Sequence, residues 1–242
     1  MKFRELFTHD TWLPDWDKIF SIKEFKDMAK CEQSKIWHTE GKVDVHTKLV
    51  CQAMRSFPLN RENIEPSDND YYIMMMSAAI CHDLGKPSTT KFDEEKGDFT
   101  TKCHGQVGAK ITRKLFYDED FELREKVCYM VRWHMALHHI FDKEEMSTRK
   151  MIQLSHGRVP VKDMLILNVC DSLGSKNEFE DEVFLADKEE RIKSVAIGLN
   201  CYETPYEFNN EYDKIRFFHF KDRLFPEGCS LPKDYGQFTM YV

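Results

Sequence analysis

Residues 71–87 read Tyr71-Tyr72-Ile73-Met74-Met75-Met76-Ser77-Ala78-Ala79-Ile80-Cys81-His82-Asp83-Leu84-Gly85-Lys86-Pro87. From Tyr71 to Ile80 the stretch is apolar around nearly its whole circumference if helical, and a helix without a polar face belongs at the centre of a bundle. Asp68, Asn69 and Asp70 give it an acidic, cap-rich start. Gly85 is expected to supply a left-handed stop and Pro87 to forbid continuation, which places His82 and Asp83 in the last turn. The partial negative charge of a helix end favours a cation. Two metal-ligating side chains at the end of a buried helix therefore point to a metal site rather than a salt bridge.

Outward from this segment, apolar residues recur at helical spacing through most of the chain and period-two alternation is rare, so the expected fold class is all-α, a compact helical bundle. The spacing predicts helices over about 15–30, 43–57, 68–83, 105–116, 121–135, 143–154, 161–172 and 181–197, with a final one over 206–218. The exception is Thr89 to Lys102, where Lys-Phe-Asp, Glu-Glu-Lys-Gly and Asp-Phe-Thr-Thr follow one another, a turn-centred pattern that suits a short irregular hairpin. No repeat, low-complexity tract or Pro-rich linker divides the 242 residues. A single domain is expected, with the segment from Asn200 on as an aromatic-rich extension.

Composition narrows the function classes. A formal net charge of -7 argues against an extended nucleic-acid track or an anionic membrane surface, while leaving room for one phosphate-bearing group at a local basic rim. The 8 cysteines are scattered without a CxxC pair, and several fall inside apolar helical runs, as reduced core thiols do. Met1-Lys2-Phe3-Arg4-Glu5 leads into no signal-peptide apolar region, and the longest apolar run is too short to span a bilayer. The expected location is the cytoplasm.

Other histidines carry the metal reading further. His46 shares a helical stripe with Leu49, Val50, Ala53 and Phe57; His104 aligns with Gly108, Ile111 and Leu115; His134 aligns with Leu123, Val127, Met130 and Val131. Asp171 ends the run Met164-Leu165-Ile166-Leu167-Asn168-Val169-Cys170 and is followed by Gly174, repeating the arrangement at His82-Asp83. Any one inward histidine is more simply a hydrogen-bonded core residue. Several imidazoles and two carboxylates buried together are costly without compensation, and one metal centre compensates all of them.

In its ordered pattern of His46, then His82-Asp83, then Asp171, the sequence resembles the HD-domain metal-dependent phosphohydrolases, over roughly residues 36–175. The surrounding words fit as well: His38-Thr39-Glu40-Gly41-Lys42-Val43-Asp44-Val45-His46-Thr47, His82-Asp83-Leu84-Gly85-Lys86-Pro87 and His104-Gly105-Gln106-Val107-Gly108-Ala109. They look most like the HD domain attached to some bacterial CCA-adding tRNA nucleotidyltransferases. The resemblance implies His46, His82, Asp83 and Asp171 as metal ligands, with His104 and His134 matching the histidines that accompany a second metal in some members. The chain lacks the nucleotidyltransferase Gly-Ser and paired-Asp motif upstream, so CCA addition is not expected.

Imidazole and carboxylate donors suit one or two divalent ions among Mn, Fe, Co, Ni and Zn, and Mg where substrate phosphate completes the sphere. Asp83 is the natural bridge between two ions. Lys86 is a candidate catalytic and substrate-phosphate residue, with a solvated loop lysine as its plainer role. His38 and Glu40, in a Gly-containing loop, are candidates for orienting substrate or water, with capping or loop packing as theirs. His138 is a reserve ligand, while His9, His139, His156 and His219 carry no pattern. Arg113, Lys114, Arg132 and Arg149 are read as solvated faces, and Met74-Met75-Met76 as core filler. The expected activity is hydrolysis of phosphate esters on nucleotides or RNA ends, of the 2′,3′-cyclic phosphodiesterase or phosphatase type. A nucleotide or dinucleotide polyphosphate hydrolase and a non-catalytic nucleotide sensor are the alternatives.

Overall fold

The computed structural model describes residues 1–55, 70–136 and 158–175. These form helices α1 (Trp16–Ser21), α2 (Lys23–Met28), α3 (Val43–Arg55), α4 (Asp70–Cys81), α5 (Lys86–Thr89), α6 (His104–Leu115), α7 (Phe121–Trp133) and α8 (Val161–Gly174), with one hairpin of strands β1 (Thr90–Asp93) and β2 (Asp98–Thr101). The fold is mainly helical, as the periodicity predicts. The sequence ranges 143–154, 181–197 and 206–218, and His138, His139, Arg149, His156 and His219, lie outside the described residues.

Every residue of α4 from Tyr72 to Cys81 is buried, because helices cover it on all sides: α7, α3 and α8 pack against it. Ile73, Met75, Met76 and Ile80 are fully buried. Burying side chains of this kind contributes about 1.5–3 kcal/mol each, so the helix that leads into His82-Asp83 is fastened by packing on every side. Two helix pairs flank it, α3 with α8 and α6 with α7. The N-terminal 3-10 turn Phe3–Leu6 packs on α4, with the ring of Phe3 stacked on Phe116 at 4.2 Å. No helix among the described residues is long and apolar enough to cross a membrane.

Several local expectations are corrected. The helix predicted over 15–30 is two helices, broken at Ile22, whose extended backbone (φ -81°, ψ 131°) leaves the helical path while its N–H closes the last turn on the Ile19 carbonyl. The central helix stops at Cys81, so His82 and Asp83 stand just beyond its last turn. Gly85 is right-handed (φ -81°, ψ -20°) and leads directly into α5, in which Pro87 takes an early position whose N–H needs no helical partner. A Cβ on Gly85 would lie 2.0 Å from the carbonyl oxygen of His104, so closeness to α6, and not a left-handed conformation, is what requires glycine there. The hairpin is regular: Thr90 pairs with Thr101 and Asp93 with Asp98 in unbroken antiparallel register.

Candidate metal centre

His46 enters from the first turn of α3, His82 and Asp83 from the turn after α4, His104 from the start of α6, His134 from the 3-10 turn after α7, and Asp171 from the last turn of α8. All six are buried. The structure brings together the whole set that the sequence singles out, as two groups on either side of Asp83. On one side His46 Nε2 lies 2.9 Å from Asp171 Oδ1 and 3.3 Å from His82 Nε2, with His82 Nε2 3.7 Å from Asp171 Oδ1. On the other His104 Nε2 faces His134 Nε2 at 3.0 Å. Asp83 stands between: Oδ2 is 3.2 Å from His82 Nε2 and 3.7 Å from His46 Nε2, and Oδ1 is 3.4 Å from His104 Nε2 and 3.8 Å from His134 Nε2.

These groups fit a cation. A backbone carbonyl can only accept, so His82 Nδ1, 2.8 Å from the Ala79 carbonyl oxygen, and His134 Nδ1, 2.7 Å from that of Val131, must each donate. When neutral, both rings then turn an Nε2 lone pair inward. Asp83 is 1% exposed, yet neither of its oxygens accepts a hydrogen bond of good geometry. A buried carboxylate in that condition is costly unless a positive charge sits beside it. Donor atoms about 2.1 Å from a shared ion stand roughly 3–3.5 Å apart, close to the separations seen here. His46, His82 and Asp171 could hold one divalent ion, and Asp83, His104 and His134 another.

Electrostatics divide the site the same way. Burial pushes His46 down, but the Asp171 and Glu40 carboxylates outweigh it and raise the imidazole to about 9. Burial prevails at the other end, lowering His104 to about 4 against the pull of Asp83, and His134 to about 3 with the neighbouring His104 and His82 adding to the effect. For Asp83 burial pushes upward, and the charges of His82 and Lys86 overcome it, holding the carboxyl well below its usual range.

Lys86 is not a solvated loop residue. It is 7% exposed, with Nζ 2.7 Å from Asp83 Oδ2 and donating to Gln33 Oε1 at 2.7 Å. Gln33 in turn donates to the Gly41 carbonyl at 3.1 Å, which ties the loop before α3 to the site. Sequence reasoning missed Gln33, since Cys31-Glu32-Gln33-Ser34 has no periodicity that marks an inward position. His38 Nδ1 lies 2.7 Å from Glu40 Oε1, and burial lowers the His38 imidazole despite that bond. Side-chain exposure is greatest at His38 (18%) and small but measurable at Lys86, His104 and Asp171 (9%, 9% and 8%), so solvent reaches the site from their side. Arg113 is held by Glu125 through three short contacts of 2.6–3.1 Å, and Arg132 stacks over Trp133. Both belong to the outer surface, as expected. Met74, Met75 and Met76 are core.

Residues 74–173 match the family model described as the HD domain. The chain carries an HD domain. The matched segment contains His82, Asp83, His104, His134 and Asp171. His46 precedes that segment and is brought to it by the packing of α3 on α8. The chain is also similar to a CC-adding tRNA nucleotidyltransferase of Thermus thermophilus, with 34% identity over 101 residues. That alignment covers 41% of this chain and 22% of the relative, so the chain spans about a fifth of that protein's length.

Proposed function

We propose that the HD domain of this chain is a metal-dependent phosphohydrolase that cleaves phosphate esters of nucleotides or RNA ends, of the 2′,3′-cyclic phosphodiesterase or phosphatase type. The position of Asp83 carries the reading: one buried carboxylate stands between two histidine groups, one oxygen toward each. His46, His82 and Asp171 are proposed to hold one ion and His104 and His134 a second, with Asp83 as the ligand common to both. A divalent ion bound there supplies Lewis-acid polarisation of a phosphoryl oxygen and an acidified water as nucleophile.

The chain's own residues do the rest. His82 and His134, with Nδ1 tied to backbone carbonyls, are fixed in orientation before substrate arrives. Lys86 places an ammonium beside Asp83 on the side where solvent enters, the place for a substrate phosphate oxygen. Gln33 restrains that ammonium, limiting the rearrangement needed when phosphate binds. His38, the most exposed of these groups, borders the same entrance. A preference for RNA termini over other phosphate esters draws support from the similarity to a protein named for tRNA.

The test is elemental mass spectrometry of protein purified without chelator, set beside Asp83→Asn, followed by a substrate panel under the metal found. About one or two equivalents of metal, lost in the variant together with turnover of cyclic nucleotides and simple monoesters while helicity persists, is the expected outcome. Unchanged activity in Asp83→Asn would sink the proposed site. Turnover confined to nucleoside triphosphates or dinucleoside polyphosphates would move the assignment to the polyphosphate hydrolases.

A further inference from the structure

His46 differs from His82 and His134 in how its outer nitrogen is supported. His82 and His134 follow helix ends, where carbonyls are left without intrahelical partners, and each uses the carbonyl three residues earlier. His46 lies in the first turn of α3. The corresponding carbonyl, that of Val43, already accepts the Thr47 hydroxyl at 2.8 Å. His46 Nδ1 instead lies 3.0 Å from Glu40 Oε1, a short approach that is bent away from good hydrogen-bond geometry.

Glu40 is placed there by its loop. Its side chain is 2% exposed, and the same Oε1 that meets His46 lies 2.7 Å from His38 Nδ1. Gly41 follows with φ +103°, a backbone that L side chains rarely adopt, and turns the chain back over the start of α3. The carbonyl of Gly41 is held by Gln33, which is bonded to Lys86, which lies against Asp83. The loop is thus fastened both to the histidine and to the carboxylate at the centre of the site.

We propose that Glu40 is a positioning residue, whose carboxylate keeps a proton on His46 Nδ1 and so leaves Nε2 as the donor that His46 shares with His82 and Asp171 toward one ion. His38, on the same oxygen, steadies the carboxylate. The inference rests on the metal-hydrolase reading and adds to it a carboxylate–histidine–metal relay at one of its two halves. Among the described residues no carboxylate backs His134, whose Nδ1 is held by the Val131 carbonyl, so the half formed by His104 and His134 should be insensitive to Glu40.

The experiment titrates metal-free wild type, Glu40→Gln and Glu40→Asp with Zn²⁺ against a chelator, and records imidazole nitrogen spectra of the Zn²⁺-loaded wild type. The expected result is a 10- to 100-fold weakening of one ion in Glu40→Gln, an unchanged second ion, full stoichiometry at saturating Zn²⁺, and partial recovery in Glu40→Asp. The loaded wild type is expected to show His46 protonated at Nδ1, a reading that does not depend on any variant folding. Protonation at Nε2, or unaltered affinity in Glu40→Gln, would overturn the role of Glu40 and leave the hydrolase reading intact. Loss of a whole equivalent at saturating Zn²⁺ would also overturn it, since Glu40 would then be a ligand alongside His38 and His46. A wild type that binds no Zn²⁺ would sink the hydrolase reading and this inference with it.

Discussion

Asp83 shows how much a single residue's surroundings can specify. Its carboxyl stays ionised in a place where burial alone would neutralise it, because the charges of His82 and Lys86 overcome the cost. Lys86 contributes a full positive charge at 2.7 Å, itself buried. Removing one partner of such a pair leaves the other uncompensated, at about 3–5 kcal/mol. Lys86→Met is therefore expected to destabilise metal-free protein by about 3 kcal/mol in urea unfolding and to regain most of that with saturating Zn²⁺, which replaces the missing charge. An equal deficit with and without Zn²⁺ would show that Lys86 matters for packing alone. His46, His104 and His134 were legible because each extends an apolar stripe, and His82 because it follows a run apolar on every side. Gln33 was not, and neither was the contact of Glu40 with His46, because loop residues carry no periodicity from which to infer direction.

At the scale of elements, the close approach of α5 to α6 sets where His104 stands. Gly85 permits it, since any side chain there meets the His104 carbonyl and the backbone nitrogen of Gly108, at 2.0 and 2.7 Å from an added Cβ. Gly85→Ala is expected to cost about 4 kcal/mol or more in chemical denaturation, the range of severe core overpacking. In whatever protein folds, it should loosen the ion assigned to His104 and His134 more than the one assigned to His46. Equal loss of both would mean that α6 moves with the whole bundle. The glycine was legible as a stop signal, but the reason for it was not: the sequence suggested a left-handed cap, and only the neighbouring helix reveals the steric demand. The break at Ile22 was missed for a related reason. Helical spacing of apolar residues continues through it, whereas the single extended residue that ends α1 leaves no trace in that spacing.

Across the whole molecule, the proposed ligands come from five separate elements and from positions as far apart as His46 and Asp171, 125 positions along the chain. An ion that binds only the folded chain stabilises it by mass action, about 2.7 kcal/mol at a hundred times its dissociation constant. Thermal melting of wild type should therefore rise with added Zn²⁺ or Mn²⁺ and fall with chelator, and Asp83→Asn should lose most of that response. A wild-type melting temperature indifferent to metal would argue that the imidazoles serve packing. The sequence by itself determined the helical class, the buried helix that leads into His82-Asp83, and the identity of the inward histidines and carboxylates, because helical period and apolar runs record which way a side chain faces. Only the tertiary structure decided which of those groups meet. Their division into two sets around Asp83, the burial of Lys86 against it and the reach of Glu40 to His46 all depend on the packing of α3 with α8 and of α6 with α7. A one-dimensional pattern can state that a residue points inward but holds no information about what stands opposite it.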